Sequence, residues 1–515
     1  MSPRVVAVRA ERPVEQIRLP TAQECMVVIF GATGDLSRRK LVPALYHLHR
    51  HGSLHACYGI LGVSRSSMSD EEFRQQMRKA CRDTEEDEFD HESWSAFARR
   101  LHYMAADLED QAAYKDLAER LEEMGAGEPG ASNRLFYLAV PPDLMSDIVE
   151  GLATAGLTGQ GEAWTRIVIE KPFGWNLESA RQLNQQIGKH FAENQVYRID
   201  HFLGKEMVQN LLAFRFGNIL FEPVWNRNYV DYVEITAAET LGVGERAGFY
   251  EETGALRDMV ANHMLQVLTL TTMEPPVAYD AASVREEKVQ VLRSIRPMNA
   301  EEVRARTIRG QYGPGQIDGK RVRGYREEEG VDPHSTTETY AAVDFRIDNW
   351  RWAGVPFYLR TGKRLARTMF EVAIHFKPTP HTIFVHREGQ VAPNVIVIRL
   401  KPEEGIDVTF SAKVPGEEME TARVRMEFDY DEAFGVELPE AYETLLLEAM
   451  QGDPTLFLRA DEVEWQWTLI DPILEVWSAE PPSDLTNYEA GSEGPAAAHE
   501  LVARNGHGWR SILEE

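Results

Sequence analysis

Residues 198 to 206 read Arg-Ile-Asp-His-Phe-Leu-Gly-Lys-Glu, which puts a carboxylate (Asp200), an imidazole (His201) and an ammonium (Lys205) within six residues. Two of these are hydrogen-bond donors, and neighbouring donors suit an anionic oxygen cluster such as a phosphate monoester. A strand ending at Ile199 would deliver Asp200 and His201 to its carboxyl end, where open α/β sheets bind ligands. A helix starting just after would set His201 and Lys205, four residues apart, on one face. A solvated turn with scattered charge is the competing reading.

Three later stretches carry matching chemistry. Glu239 follows the strand-like run Tyr232 to Ala238; Arg257-Asp258 leads through Met259, Val260, Ala261 and Asn262 to His263; Arg360-Thr361-Gly362-Lys363-Arg364 follows another strand. Carboxylates accept hydrogen bonds from the hydroxyls of a polyol while cations hold its phosphate. His263 is the histidine to nominate as general base, because an imidazole titrates near working pH. The alternative is a core histidine, since Met259, Val260 and Val267 lie three or four residues away. On an ideal α-helix Asp258 sits about 140° round from His263 and is a poor partner; Asp200 is the better candidate to orient the ring. Lys171 ends another buried run, Thr165 to Glu170, on the same expected ligand side, and Pro172 after it is a residue able to hold a cis bond.

A nucleotide site is the natural companion. The run Glu24 to Phe30 meets Gly31-Ala-Thr33-Gly34-Asp35-Leu36, and Leu41, Leu45 and Leu48 then recur at helical spacing. Glycines between a strand and a helix let backbone N–H groups approach pyrophosphate oxygens. Thr33 stands where the usual second glycine would be, and a tight turn without a ligand reads equally well. The next strand, Ala56 to Val63, ends in Ser64-Arg65-Ser66-Ser67. A cation with hydroxyls there suits a 2′-phosphate rather than free ribose hydroxyls, which points to NADP; a surface arginine capping the strand is the plain alternative.

The elements that must hold these groups alternate between strand and helix from 24 to 199, with further helical patterns at 70–82, 110–124 and 177–191 and strands at 102–105 and 134–140. That alternation predicts a Rossmann-like, doubly wound parallel sheet. After 206 the pattern changes: one helical stretch at 256–270, a glycine-rich charged segment at 309–333, then successive strands at 339–347, 357–361, 370–376, 382–385, 395–400 and 406–412, with helices at 440–451 and 460–477. Strands in succession predict a mostly antiparallel sheet within a β+α domain. The expected organisation is a loose arm over 1–22, a dinucleotide-binding domain over 23–200 and a substrate and oligomerisation domain over 201–515.

Composition agrees. A chain of 515 residues exceeds one core, and 82 acidic against 55 basic residues give a net charge of −27, which argues against nucleic acid or anionic membrane as partners. The three cysteines, Cys25, Cys57 and Cys81, are few and not spaced as metal ligands. With no eighteen-residue apolar run and no signal-peptide core at the start, a reducing, cytoplasmic setting is expected.

Taken together, Gly31 to Leu36, Glu170-Lys-Pro-Phe-Gly174, Arg198 to Glu206, Arg257-Asp-Met-Val260, Asn262-His263 and Arg360-Thr-Gly-Lys363 resemble the glucose-6-phosphate dehydrogenase family, in the same order to the Gly-x-x-Trp ending near Trp509; Arg309-Gly-Gln-Tyr312 and Gly324-Tyr325 add to the likeness. The resemblance implies oxidation of D-glucose 6-phosphate at C1 to 6-phosphoglucono-δ-lactone, the first oxidative step of the pentose phosphate pathway, with hydride passing to NADP⁺ and no metal. It implies His263 as base, Asp200 as its orienting carboxylate, and Lys171, His201, Lys205, Glu239, Asp258, Lys363 and, more loosely, Gln390 as substrate contacts. It further implies Gly31, Thr33, Gly34, Asp35, Leu36, Arg65 and Lys171 as cofactor contacts, and a homodimer or homotetramer formed through the sheet domain. Two departures stand out: Phe202 replaces a tyrosine whose hydroxyl touches phosphate, and Thr368, with Arg367 before it, replaces a second basic residue. A catalytically silent relative, binding nucleotide or sugar phosphate as a regulatory or assembly partner, is the alternative; such a relative should have lost the base or its carboxylate.

Overall fold

Met26–Phe30 (β1) is buried along its length, as a non-alternating Val, Ile and Phe run must be when both faces of a strand are covered. It pairs in parallel with Gly59–Ser64 (β2) on one side, whose outer neighbour is Leu101–Ala105 (β3), and with Arg134–Leu138 (β4) on the other. Thr165–Ile169 (β5) and Val196–Arg198 (β6) complete a six-stranded sheet in the order β3-β2-β1-β4-β5-β6. This is the doubly wound order, with its switch point between β1 and β4. The computed structural model describes residues 19–85, 89–125, 133–159, 163–386, 391–435, 438–480 and 485–513. The expected arm up to residue 18, and parts of the acidic run and turn-rich link that follow β2 and β3, lie outside them.

The second sheet has ten strands. They are Val230–Ala238 (β7), Thr307–Gly313 (β8), then, after a small hairpin of Gly315–Ile317 (β9) and Lys320–Val322 (β10), Tyr340–Arg346 (β11) and Pro356–Gly362 (β12). Met369–Phe376 (β13), Val385–His386 (β14), Val395–Lys401 (β15), Gly405–Lys413 (β16), Glu420–Asp429 (β17) and Thr486–Glu489 (β18) follow. Their order is β14-β17-β16-β15-β13-β7-β12-β11-β8-β18. Neighbours are antiparallel except β7 with β12, β8 with β18 and β14 with β17. Among the described residues no helix is long and apolar enough to cross a membrane.

Several expectations are corrected here. The glycine-rich segment at 309–333 holds the end of β8 and the β9–β10 hairpin. Its glycines mark close backbone approach: a Cβ on Gly310 would lie 2.3 Å from Asn487 Oδ1, and one on Gly315 2.1 Å from Ala490 O. Of the expected 382–385 strand only Val385 is paired, together with His386 just beyond it. Helices Glu206–Phe216, Ala247–Ala255, Ala281–Ser294 and Ala300–Arg306 join the one stretch expected between 206 and 306. Two had readable caps, Asp280 accepting from Ser283 N and Asn299 forming a capping box with Glu302.

Helices Ala441–Gln451 and Ala460–Ala479 return from the far end of the chain to pack against helices Val42–Arg50 and Leu177–Gly188 of the parallel-sheet half. Arg166, on β5, donates to Ala449 O and Met450 O, and Arg198 bridges to Leu458.

Candidate active site

The helical stretch expected at 256–270 is a π-helix over Leu256–Met264 that continues as an α-helix over Leu265–Thr272. Its start is held by Glu338: Leu256 N donates to Glu338 Oε1 at 3.0 Å and Ala255 N to Glu338 O at 3.0 Å. Gly254 turns into it at φ 65°, and a Cβ there would meet Glu338 Oε1 at 2.4 Å, so glycine is needed for both conformation and space. Its end is satisfied by two buried indoles, Trp225 donating to Thr271 O and Trp352 to Thr272 O.

The π register changes the expected geometry. Residues five apart fall near one another when each turn closes i to i+5, so Asp258 and His263 reach the same cation. Lys171 Nζ lies 3.1 Å from Asp258 Oδ1 and 2.9 Å from His263 Nε2. Lys171 follows β5 at the carboxyl end of the parallel sheet, and its bond to Pro172 is cis.

Asp200 Oδ1 stands 2.5 Å from His263 Nδ1 and also accepts from Phe202 N at 3.0 Å. Both side chains are buried, with 1% of each residue exposed. A carboxylate at Nδ1 sets that nitrogen as the N–H donor and leaves the lone pair on Nε2, facing Lys171. Burial pushes the His263 pKa below 6.5, with Asp200 pulling it back and Lys171 pressing it further down. Burial also opposes the charge on Asp200, yet His263, His201 and Lys171 outweigh it and hold the carboxyl at about 2. For Asp258 burial is likewise overcome, by Lys171 and then Lys363, which keep it well below the usual carboxylate range. The core-histidine alternative for His263 thus joins the functional one: the ring is buried, and it is also hydrogen-bonded on both nitrogens.

His201 and Lys205 do not share a helical face. His201 opens a 3-10 turn, His201–Gly204, and Lys205 is extended (φ −78°, ψ 135°) before the helix begins at Glu206. Each still packs near the candidate base: the His201 ring lies 4.8 Å from that of His263, and Lys205 Nζ sits 5.4 Å over the ring of Phe202, which itself packs on His263. Burial, then the nearby His263, pushes the His201 pKa down to about 3, so the ring is neutral near pH 7. Phe202 packs between His263, at 4.2 Å between centroids, and Phe370, at 5.0 Å. Glu239 pairs with Lys363 at 2.6 Å, and both lie at the strand ends of β7 and β12. Thr368 bonds Thr240 N and Oγ1, so its hydroxyl is committed to the neighbouring loop. Gln390 lies outside the described residues.

At the other expected site, Gly31, Thr33, Gly34, Ser64 and Arg65 line a cleft of about 190 Å³ with Asp107, Leu108 and Ala139. Gly31 has φ 79°, and a Cβ on it would fall 2.1 Å from Ala139 O. Such a bare backbone turn at a switch point fits a dinucleotide pyrophosphate. Thr33 Oγ1 and Ser64 Oγ are 2.8 Å apart, which links the turn to the arginine-bearing end of β2. Asp35 is exposed and pairs with Arg39, and Leu36 packs against the core; neither lines the cleft.

Two groups of donors have ligand-like spacing among the described residues: Asp200 with His201 and His263, and Glu24 with His55 and Cys57. The second is invisible from cysteine spacing because β1 and the turn before β2 bring it together. Glu170, named above only as part of its motif, has a buried carboxyl that accepts from Tyr137 and Tyr442, the latter 272 residues away.

Two family models match the chain: glucose-6-phosphate dehydrogenase, NAD binding domain, over residues 28–210, and glucose-6-phosphate dehydrogenase, C-terminal domain, over residues 212–510. The glucose-6-phosphate 1-dehydrogenase of Aggregatibacter actinomycetemcomitans is 48% identical over 490 residues, covering 95% of this chain and 98% of that one. The enzyme of the same name from Chlamydia pneumoniae is 45% identical over 499 residues, covering 96% and 97%. A solved glucose-6-phosphate dehydrogenase in complex with its substrate glucose-6-phosphate superposes with a TM-score of 0.87 at 35% identity, covering 96% of this chain and 100% of that one.

Proposed function

We propose a residue-level mechanism from the premise that this chain belongs to the glucose-6-phosphate dehydrogenase family. It is an oxidoreductase that converts D-glucose 6-phosphate to 6-phosphoglucono-δ-lactone with NADP⁺ as hydride acceptor. The observation that carries the residue roles is the buried chain Asp200, His263, Lys171, joined at 2.5 and 2.9 Å.

Along that chain, His263 Nε2 takes the proton of the C1 hydroxyl as the C1–H bond gives up its electron pair as hydride. The positive charge that develops on the ring is stabilised by Asp200, already anionic and already on Nδ1–H. For this to happen Lys171 must leave Nε2. Sugar hydroxyls engaging the Asp258 carboxylate would loosen its hold on Lys171, which also donates to Asp258 O, and the freed ammonium can then donate to O1. Glu239 and Asp258 accept from sugar hydroxyls, with Lys363 beside them, while His201 and Lys205 hold the phosphate. A neutral His201 still donates one N–H, and Lys205 supplies the charge. Gly31, Thr33, Gly34 and Arg65 would hold NADP⁺, which supplies the hydride acceptor.

The test is to follow NADP⁺ and NAD⁺ reduction separately, with glucose 6-phosphate and with glucose. Turnover of glucose 6-phosphate with NADP⁺ is expected, and no turnover with any pair would sink the reading. Nothing supports the silent-relative alternative, because the base and its carboxylate are both present and in contact.

Phe202 offers a finer check. A tyrosine here adds a donor to a pocket that holds Lys205 and a neutral His201, so Phe202→Tyr is expected to lower KM for glucose 6-phosphate by roughly threefold to tenfold, with kcat little changed. An unchanged KM would mean that the ring serves only as packing against His263 and Phe370.

A further inference from the structure

The helix Ala441–Gln451 lies far from residue 201 in sequence, yet its first turn covers the stretch that holds the phosphate. The Tyr442 ring is parallel to that of His201, at 7° and 6.2 Å between centroids, and its hydroxyl donates to Glu170 Oε1 at 3.2 Å. Glu170 immediately precedes Lys171 and also accepts from Tyr137 at 2.5 Å. Contact with the turn is close: a Cβ on Gly204 would lie 2.6 Å from Ala441 O and 2.9 Å from Leu445 Cγ. The same helix is tied to the first helix of the nucleotide-binding half, since Glu443 meets His47 at 2.6 Å and Glu440 meets Lys40 at 2.8 Å.

His201 needs such support. It stands on a four-residue 3-10 turn, a geometry with little stability of its own. Among the described residues its ring takes part in ring contacts with Phe202, His263 and Tyr442 and in no side-chain hydrogen bond. Its nitrogens are therefore open to a ligand, and its plane is set by packing alone. Phe202 shares its backbone and His263 is already bonded to Asp200 and Lys171; Tyr442 is the ring neighbour that comes from a helix outside that pair and is bonded to Glu170.

We propose that Tyr442 is a positioning residue for substrate phosphate: it holds the His201 ring in its binding plane and ties that turn, through Glu170, to the end of β5 that carries Lys171. The inference rests on His201 being a phosphate ligand, so the experiment includes His201→Ala. Steady-state KM for glucose 6-phosphate and for NADP⁺, kcat, and the inhibition constant of inorganic phosphate against glucose 6-phosphate would be measured for His201→Ala, Tyr442→Leu and Tyr442→Phe. His201→Ala and Tyr442→Leu are expected to raise KM for the sugar phosphate and the phosphate inhibition constant together by roughly tenfold. Tyr442→Phe, which keeps the ring and loses the Glu170 bond, should raise both by roughly threefold. In the Tyr442 variants, KM for NADP⁺ and kcat should stay within about twofold, a separation that general damage to the fold would not produce. If His201→Ala leaves both constants unchanged, the phosphate role of His201 fails and this inference fails with it. If His201→Ala raises them and the Tyr442 variants do not, the phosphate site stands and the role of Tyr442 is overturned. Should Tyr442→Leu not fold, the near-isosteric Tyr442→Phe decides alone, unchanged constants being the overturning result.

Discussion

Replacing His263 by asparagine is expected to lower kcat by roughly three to four orders of magnitude while both ligands still bind. An amide can donate to Asp200, as the imidazole Nδ1–H does, so the buried carboxylate is not left without a partner. It cannot take a proton near neutral pH, and Nε2 is the only atom of that ring placed away from Asp200 and toward the cation Lys171. Binding should survive because the proposed phosphate contacts, His201 and Lys205, and the glycine turn at Gly31 are untouched. Titration with NADPH and with glucose 6-phosphate would establish binding, and steady-state kinetics the loss. A variant within tenfold of the wild-type kcat would remove His263 as the base.

Asp200→Asn tests the other half of the pair, with kcat expected to fall by roughly two to three orders. The new amide can present its NH₂ to Nδ1, which moves the ring proton to Nε2 and hides the lone pair the reaction needs. The pH dependence separates this from simple damage. As the base, His263 would act in its neutral form, and burial holds its pKa below 6.5, so activity is expected to be full above that value and to fall as pH drops through the folded pKa. Asp200 is the main group pulling that pKa upward. Its loss should therefore displace the acid limb of kcat/KM to lower pH, even as the plateau drops. A limb that stays put or moves upward would contradict the pairing. Stability follows the sign of the carboxylate. Asp200 sits at about 2 against an ordinary 3.8, so its contribution is present above 3.8 and fades as pH falls toward 2. The difference in stability between the two proteins should shrink over that window.

Much of the nucleotide-binding half was legible from local pattern. The buried Val-Val-Ile-Phe run of β1, the turn at Gly31 and the alternation up to Ile199 each depend on residues a few positions apart, and a parallel sheet needs little else to be recognised. The same holds for Lys171 and Asp200: a polar residue directly after a buried strand emerges at the carboxyl edge whatever the rest of the chain does. Even the pairing of Asp200 with His263 could be argued, because an α-helix denied His263 its sequence neighbour Asp258.

That last step reached the right partner from a helix geometry the structure does not have. The turn from Leu256 is π-helical, and Glu338, 82 residues away, caps its start; no periodicity within the turn reports a cap supplied from elsewhere. The wider turn then lets Asp258 and His263 share Lys171. Position 205 shows the opposite error, where four-residue spacing suggested a shared helical face and the backbone is extended. The glycines at 310 and 315 gave no strand signal, because a glycine in a turn and a glycine under a neighbouring backbone are the same letter. Sequence alone determined which groups stand at the strand ends and what chemistry they can do. Tertiary structure decided which of them meet, because helix register, ring packing and the approach of Tyr442 depend on segments tens to hundreds of residues apart.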